Sequence, residues 1–367
     1  MKRQNGEINF LRFLFAIIVM ILHFEDNYDF KVFECGYISV EFYFMVSGYL
    51  MAMHVKRMQN RNLTSAEIAS ETWRFTGKKI KSFYSYYFVS IILWLVILQI
   101  ILRGASAEKT LNYVLRGMPQ LMLNFMGICH DYTGLYVANS WYLSAMVIAL
   151  FILYPILLKK FELSSKVLFP IITTFLLAYL YKTQNSICAT FEWNGFFYTG
   201  LLRAIAEIAL GASLFSFVEF LTTKFKWLFG SKKAVAKLFL TAIKVLCYGI
   251  TIIHAYGFTF GGAFSIHALF YLAIAVSLSF AEGGYIIPDN KITRYLGKIS
   301  LPIYIFHGIF RYVARTLTGV VTIPTREVII MLVSTFIISV LLMYITDFLT
   351  NGVRKGYLAF KAHVEKQ

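Results

Sequence analysis

The chain has 367 residues, of which 58% are hydrophobic, 17% aromatic and 15% charged, with six prolines. That composition is far too apolar for a soluble domain and places the protein in a lipid bilayer. The formal charge of +16 does not make nucleic acid an expected partner, because the basic residues gather in short connections between apolar runs, as membrane topology demands.

Ten runs approach the roughly 20 residues that a helix needs to cross a bilayer. They lie around Ile8 to Phe24, Gly36 to His54, Phe83 to Leu102, Val137 to Leu158 and Val167 to Tyr181. The others lie around Phe196 to Phe217, Leu238 to Ala255, Ala263 to Ala281, Ile299 to Val313 and Val328 to Leu349. The prediction is an all-α polytopic membrane bundle of about ten transmembrane helices, forming one domain over residues 1–367. With the N-terminus inside, 24 of the 35 Lys and Arg fall in inner segments and 7 in outer ones, which predicts an N-in, C-in topology. The first run follows a short basic start and lacks a small-residue cleavage site, so it is expected to stay as a helix. The stretch from Leu111 to Gly134 is broken by Arg116, Gly117 and Pro119 and reads as an outer-face amphipathic or re-entrant segment.

Cys35, Cys129 and Cys188 fall in predicted outer connections and Cys247 in a span. Their spacing is not that of a metal site, and no metal is expected. A disulfide between two of the outer three is left open. There is no phosphate-binding glycine loop, so ATP-driven transport by this chain alone is not expected.

The chemistry concentrates in charged residues placed where lipid would otherwise be. In "INFLRFLFAIIVMILHFED", Arg12 and His23 are eleven positions apart, about 20° past three turns and about 16 Å along the axis. One helix face therefore carries a cation near the inner side and an imidazole nearer the outer side. Intramembrane ionisable residues cost on the order of 2 to 3.5 kcal/mol and usually face protein or water. Glu41, about a turn into the second run, is expected at the depth of His23, where a carboxylate would orient the imidazole and raise its basicity. Structural pairing would give the same geometry. Arg203 and Glu207 are four apart and can form an ion pair on one helix face, as structure or as substrate contact.

The run "RFLFAIIVMILH" resembles the Arg-to-His pattern of the acyltransferase-3 family, integral membrane O-acyltransferases of bacterial surface glycans. "SVEFYFMVSGYLMA", "NSWYLSAMVIALFILYP", "RAIAEIALGASLF" and "LGKISLPIYIFHGIF" are similar to further family segments, in the family's order. The resemblance implies about ten helices in a bacterial cytoplasmic (inner) membrane. It also implies transfer of an acyl group, usually acetyl, from cytoplasmic acyl-CoA to a sugar hydroxyl of a surface polysaccharide or its lipid-linked precursor. His23 is the implied catalytic residue, with Glu41 beside it, and Arg12 belongs to the acetyl-CoA end of the same pore. His307 sits where the family also tends to carry a His.

Trp141, Arg203, Glu207 and His307 are the candidate acceptor contacts, and Ser47, Tyr49, Trp141 and Tyr142 the candidate oxyanion donors. "WRFTGKKIKSFYSYY" looks like the family's basic turn before the third span, with Lys78, Lys79 and Lys81 where Arg is usual. Lys78 and Lys81 are the implied donor contacts, binding phosphate as point charges. The expected partners are acyl-CoA, a glycan acceptor and the bilayer. A proton-coupled exporter of a lipid-linked sugar is the alternative, although the broken helices in matching halves that such a device uses are not visible.

Overall fold

The computed structural model describes residues 4–24, 32–59, 62–97, 104, 106–112, 115, 140–190, 192–194, 197–258, 264–281, 283–318 and 325–364. Its long helices are α1 (Gly6–Phe24), α2 (Ile38–Lys56), α3 (Ser65–Leu93), α4 (Ser140–Lys159) and α5 (Phe169–Gln184). They continue with α6 (Thr199–Lys224), α7 (Ala234–Ala255), α8 (Phe264–Phe280), α9 (Lys291–Thr318) and α10 (Thr325–Val364). As far as the described residues go, each apolar run of the sequence falls on one of these helices. Among the described residues, eight helical stretches are long and apolar enough to cross a bilayer. The helix at Phe264–Phe280, with 17 residues, is short for a span, and α9 opens on the polar turns of Lys291, Arg294 and Lys298. A two-residue antiparallel pair, Trp193 with Tyr198 and Asn194 with Phe197, shapes the connection into α6. Most of the stretch from Leu111 to Gly134, with Cys129 and His130, lies outside the described residues.

The structure departs most from the sequence reading at α3, which starts well before Phe83. Thr64 and Glu67 form a reciprocal cap: the Glu67 amide donates to the Thr64 hydroxyl at 3.3 Å, and the Thr64 amide donates to the Glu67 carboxylate at 2.8 Å. Satisfying two otherwise orphaned donors fixes the first turn, and the helix then carries a polar stretch forward into the apolar one.

Two helix pairs set the geometry of the interior. Where α2 crosses α6, a Cβ on Gly48 would stand 2.0 Å from the Ile208 carbonyl oxygen, and one on Gly211 would stand 2.0 Å from that of Met45. Only glycine at both positions lets these backbones touch. α1 packs most extensively on α9, and a Cβ on Gly297 would meet the Asn9 side chain at 2.6 Å.

At the end of the bundle where α1 begins, ion pairs lace the helices together. Lys56 bridges Glu162 at 3.1 Å and Glu219 at 3.3 Å. The buried Lys244 of α7 reaches Glu7 of α1 at 2.7 Å and the Tyr285 carbonyl at 2.9 Å, while Ser279 donates to the other Glu7 oxygen. An intramembrane lysine is thereby matched to a carboxylate from the opposite end of the chain, which is what makes its burial tolerable.

Candidate active site

A cleft of about 1140 Å³ opens among α1, α2, α3, α4 and α9 at the end where α1 begins. Arg12 of α1, Arg57 just past α2 and Lys79 of α3 line it, with Asp289 as the one acidic lining residue among the described residues. Asp289 is itself held by Arg294 at 2.6 and 2.7 Å, so the cleft presents net positive charge. Asn5, Asn9, Ser47, Ser82 and Ser300 add polar groups to its walls. Lys79, Ser82 and Phe83 share one face of α3 by their three- and four-residue spacing. Lys78 and Lys81 lie on its exposed side. Lys79 is thus the lysine of this stretch that lines the cleft with Arg12, because the basic stretch is helix rather than turn.

Tyr43 of α2, Tyr142 of α4 and Tyr304 of α9 are the deepest residues that these helices contribute to the cleft. The Tyr43 hydroxyl donates to the main-chain carbonyl of Arg12. Beyond the tyrosines, His23 and His307 face each other with ring centroids 5.0 Å apart, and Tyr304 lies 5.9 Å from His307. Each imidazole directs Nδ1 at the carbonyl one turn back, His23 to Val19 at 2.8 Å and His307 to Ile303 at 3.1 Å. A carbonyl oxygen only accepts, so Nδ1 carries the proton in the neutral ring and the lone pair sits on Nε2. Two imidazoles from two helices are thus presented side by side in the same tautomer.

Glu41 takes a different partner from the one its depth suggests. Its carboxylate accepts from Arg203 at 2.6 Å and from the Cys188 thiol at 3.0 Å, while its second oxygen has no hydrogen-bond partner among the described residues. The orienting bond on His23 is therefore the Val19 carbonyl, and Glu41 belongs to a clamp centred on Arg203. That guanidinium is 1% exposed, and Glu41 and Glu207 are each 0% exposed.

Arg203 spends every N–H it has. Nε donates to Glu207 at 3.4 Å, Nη1 to the Cys188 carbonyl at 2.9 Å and the Thr190 hydroxyl at 3.1 Å, and Nη2 to the Tyr37 carbonyl at 3.1 Å and to Glu41. Its Cζ also lies over the Trp141 ring, 5.6 Å from the centroid. The expected Arg203–Glu207 pair is present, but the guanidinium has no donor left for an acceptor sugar. Trp141 serves as its aromatic floor. Burial first, then the Glu41 carboxylate, raises the Cys188 thiol well above its usual range, so Cys188 stays a protonated donor and an inert one. Among the described residues, Cys35, Cys188 and Cys247 form no disulfide.

Of the other sequence candidates, Ser47 and Tyr142 line the cleft. Tyr49 instead stacks on Phe280 at 3.8 Å. Arg57, Lys79, Tyr43 and Tyr304 are the site residues that sequence reasoning did not select. The helical series Val46, Leu50, Met53 and Arg57 was the available signal for Arg57.

A family model described as an acyltransferase domain matches residues 5–344, nearly the whole chain, from the first turn of α1 into α10. The chain belongs to the acyltransferase-3 family. Neither the curated proteins nor the solved structures yielded a match. Family and helix bundle together make this a multi-pass membrane acyltransferase.

Proposed function

We propose that this acyltransferase moves a short acyl group, acetyl first among them, from cytoplasmic acyl-CoA to a sugar hydroxyl of a surface polysaccharide or its lipid-linked precursor. The observation that carries the reading is one alignment: a cleft lined by Arg12, Arg57 and Lys79 leads from the basic end of the bundle toward His23 and His307. Guanidinium and ammonium groups suit the phosphates of the donor, and the cleft exceeds the roughly 300–1,000 Å³ of a drug-sized site. The basic end then faces the cytoplasm, in keeping with the charge bias of the connections, and the membrane is the bacterial inner membrane.

In the chemistry we envisage, Nε2 of His23 takes the proton from the sugar hydroxyl as its oxygen attacks the thioester carbonyl. The C–O bond forms, the C–S bond breaks, and the proton passes from His23 to the departing thiolate. His307 stands close enough to orient the hydroxyl or share the proton. Ser47 and Tyr142, in the cleft wall, remain the oxyanion-donor candidates.

The test uses vesicles carrying the full chain, labelled acetyl-CoA on the face holding the basic connections, and host glycan on the other. Label should enter glycan with wild type and not with His23→Ala, while the variant remains inserted and binds CoA. Equal labelling by His23→Ala would remove that residue from the mechanism. Wild-type-dependent passage of glycan without label would favour an exporter.

A further inference from the structure

On each of three helices that wall the cleft, the lining residue farthest along the helix from its mouth is a tyrosine: Tyr43, Tyr142 and Tyr304. Their rings touch pairwise, with centroids 5.9 Å apart for Tyr43 and Tyr142, 6.3 Å for Tyr43 and Tyr304, and 5.4 Å for Tyr142 and Tyr304. Those separations are in the range of direct aromatic contact, so the three rings form a closed collar. Tyr43 is pinned to α1 through the Arg12 carbonyl. Tyr142 donates to the Met146 sulfur at 3.7 Å, a weak tether. Neither His23 nor His307 is among the residues lining the cleft; the His pair meets the cleft wall through the collar, where Tyr304 lies 5.9 Å from His307.

We propose that this tyrosine collar gauges the acyl group of the donor, admitting acetyl and groups of similar size to the His pair and rejecting longer ones. The inference rests on the donor reading above and adds which part of the site sets chain length. An acyl end that passes from the cleft to His23 must displace a ring from contacts with two others. Every further methylene asks for a larger displacement, and a packed hydrophobic constriction discriminates by about 10- to 200-fold per methylene. Tyr304 is the ring that sets the limit, because it touches Tyr43, Tyr142 and His307 together.

The experiment measures transfer from acetyl-, butanoyl- and hexanoyl-CoA by the full chain in vesicles, alongside direct binding of CoA. Wild type should favour acetyl over butanoyl, two methylenes longer, by about 100-fold or more. Tyr304→Ala and, on the facing wall, Tyr142→Ala should each lower that ratio by about tenfold, whereas Tyr304→Phe, which keeps the ring, should keep the ratio. Wild type using hexanoyl as readily as acetyl would overturn the proposal without recourse to any variant. So would alanine variants that bind CoA normally and retain the wild-type ratio. Failure of the donor reading looks different: wild type would neither bind CoA nor transfer from any acyl-CoA, and the collar would fall with it.

Discussion

Replacing Arg203 with alanine tests whether the intramembrane charges clustered on it, Glu41 and Glu207, are scaffold or substrate contact. The substitution removes five hydrogen bonds, two of them to the buried carboxylates of Glu41 and Glu207. Breaking a buried pair by deleting one partner costs about 3–5 kcal/mol, because it strands the other charge, and here it strands two. That corresponds to about two to three and a half decades in the folding equilibrium. Arg203→Lys keeps the charge but has three donors in place of five, so it should fall between alanine and wild type. Replacing the whole cluster, Arg203→Met with Glu41→Leu and Glu207→Leu, should recover most of the loss, since apolar groups of similar volume often substitute for a buried ion cluster. The assay is denaturation of the purified protein in detergent, followed by helix content and by protease resistance. An Arg203→Ala protein that unfolds at the wild-type midpoint and loses only acceptor use would refute the scaffold reading and return Arg203 to the substrate site.

Further outcomes follow from the helix contacts and the cleft. Gly48→Leu or Gly211→Leu should abolish the folded bundle, because each Cβ meets a backbone carbonyl at 2.0 Å, whereas Gly249→Ala, with nothing within 4 Å, should fold normally; folded yield by size exclusion separates them. Arg57→Ala and Lys79→Ala should each raise the acyl-CoA concentration needed for half-maximal transfer, with the difference from wild type shrinking at high salt as phosphate attraction is screened. Lys78→Ala and Lys81→Ala should leave that concentration unchanged, and a shift for these exposed lysines would contradict the assignment to Lys79. Lys244→Met should lower the denaturation midpoint by stranding the Glu7 carboxylate, and an unchanged midpoint would show that the α1–α7 latch contributes nothing.

What could be read from the sequence was whatever a single helix decides. Apolar runs gave the helices, because a bilayer admits little else. The i, i+4 spacing gave Arg203 with Glu207, and the eleven-residue spacing set Arg12 at one depth of α1 and His23 at another. What escaped was whatever two helices decide together. Glu41 matched His23 in depth, but its partner is chosen by the glycine-to-backbone crossing of α2 on α6, which brings Arg203 to 2.6 Å from its carboxylate. Lys79 differs from Lys78 and Lys81 only in azimuth, which has meaning once Thr64 and Glu67 start the helix early enough to include all three.

The collar is the sharpest case. Tyr43, Tyr142 and Tyr304 come from three segments whose sequences are rich in aromatic residues, so no local pattern distinguishes them from neighbours that merely pack. On α9, though, Tyr304 and His307 stand three residues apart, on one face of the same helix. Once His307 is placed against His23, that spacing requires Tyr304 to sit one turn nearer the cleft. A residue type that looked like filling in the sequence is thus carried to the boundary between cleft and imidazole by the helix that supplies the second imidazole.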